Sequence, residues 1–401
     1  MARILLTVPP LVGHLNPALA VAAELQKQGH VLAWAVHARE IGERLPAGVP
    51  VYDLDCPDGF AFGAAAPQVR GLESVRLFFE EFALPLARAS LAPLEAAARA
   101  FQPDVMVVDH QMPAGALVAR KLGLPWVSLV TTTASILKMS AILDLNNSSA
   151  TLDNWVQEQF LALQTGYLDP RDIVPRPEFS PWHVIVFSVE SLLGRNYERI
   201  SANYSFVGPT RGGGRREVEF PWQWLDHSRP RLLVTLGTVS RDRDTRFFEV
   251  IMEAVADMPV QAVLVAPEQL AGVAPANVLV QPYIPQLEVL DYVSGVICHA
   301  GHNTVCEALV RGLPLIVAPI RDDQPVIARQ VIDAGAGLFL RHGKATPSMA
   351  KKAITELLEN PALRQNAQRL APELQAARGE AGAAAIISAL ARRDHLLDKV
   401  S

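Results

Sequence analysis

Cysteines, aromatic residues and blocks of like charge are all scarce in this chain. Only three cysteines occur, Cys56, Cys298 and Cys306. They leave one thiol unpaired at best and match no zinc or CxxC spacing, which excludes a disulfide framework and fits a reducing, cytoplasmic setting. Aromatics make up 6% of the 401 residues, and no run of one sign breaks the mixture of 41 acidic and 36 basic side chains. A net charge of −5 without a basic patch argues against nucleic acid or a polyanion as partner. Long apolar runs are missing as well. The uncharged stretch Leu122–Leu137 has 16 residues, interrupted by Gly, Pro and hydroxyls, too short and too polar for a transmembrane segment. The opening "MARILLTVPPLVGHLNPALAVAAEL" puts Arg3 before apolar residues as a leader does, but prolines and a histidine interrupt it, so a strand, a loop and a helix are expected there.

Half of the residues are apolar, and they fall into short β-rich runs separated by helix-length segments. "RILLTV", "VLAWAV", "VMVVD" and "WVSLV" have the continuous apolar character of strands buried on both faces, and Pro17 to Gln28 carries helical spacing with Gly29 as a stop. Around "VGPTRGGGRREVEFP" the periodicity lapses, and "RLLVTLG", "VQAVLVA", "NVLVQPY", "GVICH", "LPLIVAP" and "GLFL" then repeat the alternation. The length suits two α/β domains with parallel sheets: residues 1–208, a linker at 209–219, a second domain at 220–378, and a closing segment 379–401. Helices are expected over Pro347–Asn360 and Pro361–Arg378, followed by an Ala-rich helix from Ala381 to Arg393.

This layout puts the unusual polar groups at the carboxyl ends of strands, where open parallel sheets bind ligands. His14 follows the first strand, Asp109 ends "VMVVD", Thr238 follows "LLVTLG", His299 ends "GVIC", and Asp322, Asp323 and Gln324 follow "LPLIVAP". In "GHLNP", Asn16 suits a cap and Pro17 the first helical position. A histidine just before a helix N-terminus is not favoured as a cation, so His14 is expected to be a neutral imidazole able to act as a base. Asp109 could hold its far nitrogen; the plainer reading is an Asp capping the next helix. "HAGHNTVCE", His299 to Glu307, turns through Gly301 into a helix whose free N–H groups suit an anion. His299 and Thr304 could add donors to a diphosphate, and Glu307 could accept from a ribose, against the plainer reading of a β–turn–α with Asn303 as cap.

Taken together, these motifs resemble the inverting UDP-glycosyltransferase superfamily, nucleotide-sugar-dependent enzymes with two facing Rossmann-like domains, the GT-B fold. The resemblance covers essentially the whole chain and implies an interdomain cleft, with the last helix returning to the first domain. It implies His14 as catalytic base with Asp109 as partner, and Tyr283, Ile284 and Gln286 in "YIPQ" around the nucleobase. His299, Gly301, Asn303, Thr304 and Thr238 would face the diphosphate, Glu307 the ribose, and Asp323 and Gln324 the sugar hydroxyls. Plant members stack a Trp near Tyr283 and carry another where this chain has His302, so the bacterial natural-product style is the nearer one. The implied donor is a UDP- or dTDP-sugar used as co-substrate, with no cofactor and no metal.

For the acceptor, Phe60, Phe62, Phe78, Phe79 and Trp155 lie in the two least regular segments of the first domain. Such material near a ligand rim suits a small lipophilic aglycone, although each aromatic read singly fits a local core. "DRD", Asp242–Asp244, copies a metal-binding triplet of other glycosyltransferases but reads as a solvated cap, and Cys298 and Cys306 read as packing residues. A monomer or weak dimer is expected. The rival readings are a sugar-nucleotide epimerase of the same fold and a non-catalytic partner protein.

Overall fold

The computed structural model describes residues 1–54, 72–137, 148–194, 201–212, 218–237 and 245–397. The first half forms a wholly parallel sheet from β1 (Arg3–Thr7), β2 (Val31–Val36), β3 (Val51–Asp53), β4 (Val105–Asp109), β5 (Trp126–Val130), β6 (His183–Val186) and β7 (Tyr204–Phe206). Its order is β3-β2-β1-β4-β5-β6-β7. The second half repeats the scheme with β8 (Arg231–Thr235), β9 (Gln261–Val265), β10 (Val278–Gln281), β11 (Gly295–Cys298), β12 (Leu315–Val317) and β13 (Gly337–Phe339), in the order β10-β9-β8-β11-β12-β13. Both are doubly wound orders that reverse direction between two central strands, β1 and β4 in one sheet, β8 and β11 in the other. That reversal opens a crevice at the strands' carboxyl ends.

All the strands expected from the apolar runs are present, some in full and others shorter than the run. β4 and β5 are buried along their whole length, as a strand covered by helices on both faces requires. Three strands were not read from the sequence, the two edges β3 and β7 and the inner neighbour of β7. β3 is only three residues long and largely exposed, and β7 is half-buried, so neither carries a continuous apolar signal. β6 pairs outside β5 and opens on a histidine.

The first helix spans Val12–Lys27 and contains Pro17, which corrects the expectation of a start at Pro17 with Asn16 as cap. It begins five residues earlier, and Pro17 sits inside it, where the ring removes the N–H that would bond the carbonyl of Gly13. The helix after β11 begins at His302 with Gly301 in the cap position, so Asn303 lies inside it and does not cap it. Near the end, Pro347–Glu359 and Pro361–Ala376 start on Thr346 and Asn360, whose side chains accept from Met349 N and Ala362 N; both are ordinary caps followed by proline.

The last helix, Gly379–Leu397, lies against the first. Ala383, Ala384, Ile387, Leu390 and Ala391 share one core with Leu15, Leu19, Ala22 and Leu25, and small residues let the two helices approach closely. The chain thus crosses between the halves twice, side by side. Gly379 N donates to Val207 O at 2.6 Å, and the Arg211 guanidinium donates to the carbonyls of Leu374, Gln375 and Ala377 at the end of the preceding helix. Gly208, at φ +77°, is needed there because a Cβ would stand 2.4 Å from that of Ala377. The stretch expected to be an interdomain linker is anchored at its start; residues 213–217, including Gly213 and Gly214, lie outside the described residues.

Candidate active site

In the first half, Thr7 of β1 pairs with Val108 of β4, so the turn leaving β1 and the end of β4 share the crevice. His14, in the first turn of its helix, places Nδ1 2.9 Å from both carboxylate oxygens of Asp109 and 2.9 Å from Thr131 Oγ1 at the end of β5. The carboxylate can only accept, so Nδ1 carries the proton it donates. Asp109 is fully buried and His14 is 12% exposed. Among the described residues, no protein group bonds His14 Nε2, which is the basic nitrogen of this tautomer. Burial opposes ionisation of Asp109. The His14 and His110 rings, the His14 bond and the Gln111 N–H outweigh it and hold the carboxyl below its usual range. Asp109 also accepts from Gln111 N at 2.8 Å, so it both shapes the following turn and holds His14.

His110 packs beside His14, their centroids 5.5 Å apart. Its Nδ1 donates to Leu129 O at 3.1 Å, and its Nε2 meets Ser135 Oγ at 2.8 Å. Burial lowers this imidazole to about 4, so it stays neutral. The ligand-type atoms of His14, Asp109 and His110 lie within 4.8 Å of one another. Both ring nitrogens of His110 and Nδ1 of His14 are already in hydrogen bonds, an arrangement suited to moving a proton at Nε2 rather than to chelation.

In the second half, the His299 ring sits in a slot between two glycines. A Cβ on Gly237 would stand 2.7 Å from the ring, and one on Gly301 2.5 Å. Burial pushes His299 down to about 4, and its Nδ1 has no partner among the described residues. Ala300, buried beside it, holds a left-handed φ of +63°, and Asp322 in the loop after β12 holds +56°. Two such non-glycine residues in the two loops of one crevice are strain of the kind functional sites retain. Glu307, one turn into the helix, is buried and accepts from Gln286 Nε2 at 2.7 Å; the same amide lies 3.4 Å from Thr304 Oγ1. Tyr283 is exposed and Ile284 partly buried beside them. Gln324, itself buried, accepts through Oε1 from Ile320 N and Arg321 N at 2.8 and 3.1 Å. Burial raises the Asp323 carboxyl, opposed by the adjoining Thr132 hydroxyl and the nearby His14 ring.

The two crevices face each other. Asn303 Nδ2 donates to Gly13 O at 2.9 Å, Thr133 Oγ1 to Gln330 Oε1 at 2.8 Å, Asp322 N to Ser74 Oγ at 3.0 Å, and His302 Nε2 to Phe187 O at 3.3 Å. A partly buried imidazole held by a carboxylate thus stands on one rim and a buried histidine at a helix N-terminus on the other.

The comparisons with known proteins agree with this fold. Residues 249–390 match the family model of the erythromycin biosynthesis protein CIII-like C-terminal domain. An uncharacterised UDP-glucosyltransferase of Bacillus subtilis (strain 168) is 27% identical over 96% of both chains. The 4'-demethylrebeccamycin synthase of Lentzea aerocolonigenes is 28% identical over 94% of this chain and 96% of its own. The crystal structure of the kitacinnamycin glycotransferase superposes with a TM-score of 0.76 at 23% identity, covering 97% of this chain and 99% of that one. The chain is a glycosyltransferase of the GT-B fold.

Not every expected residue of the glycosyltransferase joins this cleft. Phe60, Phe62, Thr238 and the "DRD" triplet lie outside the described residues. Phe78 and Phe79 stack edgewise at 5.6 Å, Phe79 meets Phe160 at 5.8 Å, and the Arg76 guanidinium lies 5.1 Å from the Trp155 ring. All three expected aromatics flank the first-half core. The helix carrying Phe78, Leu72–Phe78, reaches the cleft through Ser74. Cys298 and Cys306 are buried, and their thiols are pushed up to about 12 by burial, consistent with packing. Sequence reading missed Thr131, Ser74, Gly237 and Arg321. Thr131 and Arg321 follow strand ends, so the rule that selected His14 and His299 covers them too. Among the described residues, no helix is long and apolar enough to cross a membrane.

Proposed function

We propose that the enzyme moves a hexose from a UDP- or dTDP-sugar to a hydroxyl of a small lipophilic acceptor, such as a natural-product aglycone, with inversion. The observation that carries this reading is the His14 imidazole, tied through Nδ1 to Asp109 and Thr131 with Nε2 left to the cleft. The acceptor oxygen attacks the anomeric carbon as Nε2 takes its proton, and Asp109 stabilises the imidazolium. The diphosphate leaves toward the helix N-terminus at His302, with His299, Gly301, Asn303, Thr304 and Thr238 as its surroundings. Tyr283, Ile284 and Gln286 flank the nucleobase, Glu307 accepts from the ribose, and Asp323 and Gln324 meet the sugar hydroxyls. A single displacement inverts C1.

The relatives' names support a natural-product acceptor, and the helix that carries Phe78 reaches the cleft through Ser74. The same reading divides the chain into an acceptor domain, 1–208, and a donor domain, 220–378, joined by 209–219 and closed by 379–401, and one parallel sheet in each half supports it. The test is a mass-spectrometric screen of aglycones against UDP- and dTDP-sugars. Mass gain of one hexosyl unit on an aglycone, with free nucleotide diphosphate released only in its presence, is the expected result. Nucleotide release without acceptor would point to an epimerase instead, and loss of rate with a chelator, restored by Mg²⁺ or Mn²⁺, would contradict metal independence.

A further inference from the structure

The loop after β12 holds a cation that the proposed donor chemistry has not yet used. Gln324 Oε1 pins Ile320 N and Arg321 N, and Asp322 turns the chain through a left-handed φ of +56°. This folds the Arg321 side chain inward until it is only 11% exposed. Strand register fixes what lies next to it. Val317 pairs with Cys298, and Ala318 N donates to Cys298 O at 2.7 Å, so the loop carrying Arg321 leaves its strand alongside the His299 turn.

Burying a guanidinium costs several kcal/mol unless its donors are matched. Arg321 has five N–H donors. Among the described residues its side chain meets one carboxylate, Asp322 Oδ2, 3.4 Å from Nε, and that carboxylate is itself 36% exposed. A pair this long and half-solvated does not offset the burial. His299 does not supply charge either, since burial keeps its ring neutral.

We propose that Arg321 binds the diphosphate of the nucleotide sugar and remains on it as the leaving group departs, supplying fixed positive charge alongside the His299 turn. This rests on the donor-site reading above. As C1 bonds to the acceptor oxygen, the bond from C1 to the β-phosphate oxygen breaks and its electron pair stays on that oxygen. The acceptor proton goes to His14 Nε2. Arg321 exchanges no proton; its forked donors meet the negative charge that develops on the phosphate. A carboxylate on the sugar is the less fitting occupant, because it would lie against Asp322 and Asp323, whereas a diphosphate on the His299 side would not.

Calorimetry of the full chain with UDP, UMP and uridine, and with the thymidine series, tests this in wild type, Arg321→Gln and Asp322→Asn. Arg321→Gln is expected to weaken UDP about 10- to 100-fold and leave uridine unchanged. Asp322→Asn, which frees the guanidinium and suits the left-handed backbone, is expected to bind UDP at least as tightly as wild type. An unchanged UDP-to-uridine ratio in Arg321→Gln overturns the proposal. So does a loss confined to UDP-glucuronic acid when compared with UDP-glucose. If Arg321→Gln does not fold, the Asp322→Asn arm decides, and weaker UDP binding there overturns it. A wild type that binds neither UDP nor dTDP refutes the donor reading itself, which is a separate outcome.

Discussion

The side-chain amide of Asn303, in the first turn of the helix that follows β11, donates to the carbonyl of Gly13 in the first turn of the opposite helix. That carbonyl is free because Pro17, four residues on, has no N–H to give it. A proline that weakens one helix thereby provides an acceptor for the other half of the molecule. Asn303→Ala is expected to lower stability by about 0.5–1.5 kcal/mol and to raise the radius of gyration of the unliganded protein in X-ray scattering. An unchanged scattering curve and melting temperature would show that this bond does not hold the halves together.

Removing the base should separate chemistry from binding. His14→Ala is expected to lose about 10²–10⁴ in kcat while nucleotide affinity, measured calorimetrically, stays near wild type. Asp109→Asn should also be impaired, because the amide can pair with Nδ1 but cannot stabilise the imidazolium. Full turnover in either variant would refute the dyad.

Stability should fall as the solution is acidified below neutrality. His37, His110, His299 and His302 are each lowered to about 4 by burial, from an unfolded value near 6.5. Between these values the unfolded chain binds protons that the folded one refuses, so the slope of stability with pH is positive there. The melting temperature is expected to be level above pH 6.5 and to drop steadily toward pH 4. Asp109, held low in the folded state, adds a further loss in still more acidic solution. A flat melting profile from pH 7 to 4.5 would mean that these rings are solvated.

Deleting residues 379–401 should destabilise the whole protein rather than trim an end. Ile387 and Leu390 would leave the core they share with Leu15 and Leu25, and Ser388 would no longer bond Gln28 Oε1 at 2.8 Å or His30 Nε2 at 2.9 Å. The expected cost is on the order of 5 kcal/mol, with turnover lost in parallel. Wild-type melting and turnover in the truncated chain would show that the helix ties nothing together.

By itself, the sequence determined the fold class and the identity of most cleft residues. Buried parallel strands must be apolar on both faces, so their runs are visible, and in such sheets polar residues just past a strand end can only line the crevice. That places His14, Asp109, His299 and Gln324 without coordinates. Helix boundaries and hydrogen-bond partners were decided by tertiary structure. A local rule puts Pro17 at a helix start, but the carbonyl left bare at Gly13 is satisfied by Asn303 from 290 residues away, and no local signal carries that. The slot of Gly237 and Gly301 around His299, the shared Thr131 contact and the burial of Arg321 arise in the same way. Each depends on two segments far apart in the chain meeting at a strand end, and sequence spacing does not specify distance between segments that only packing brings together.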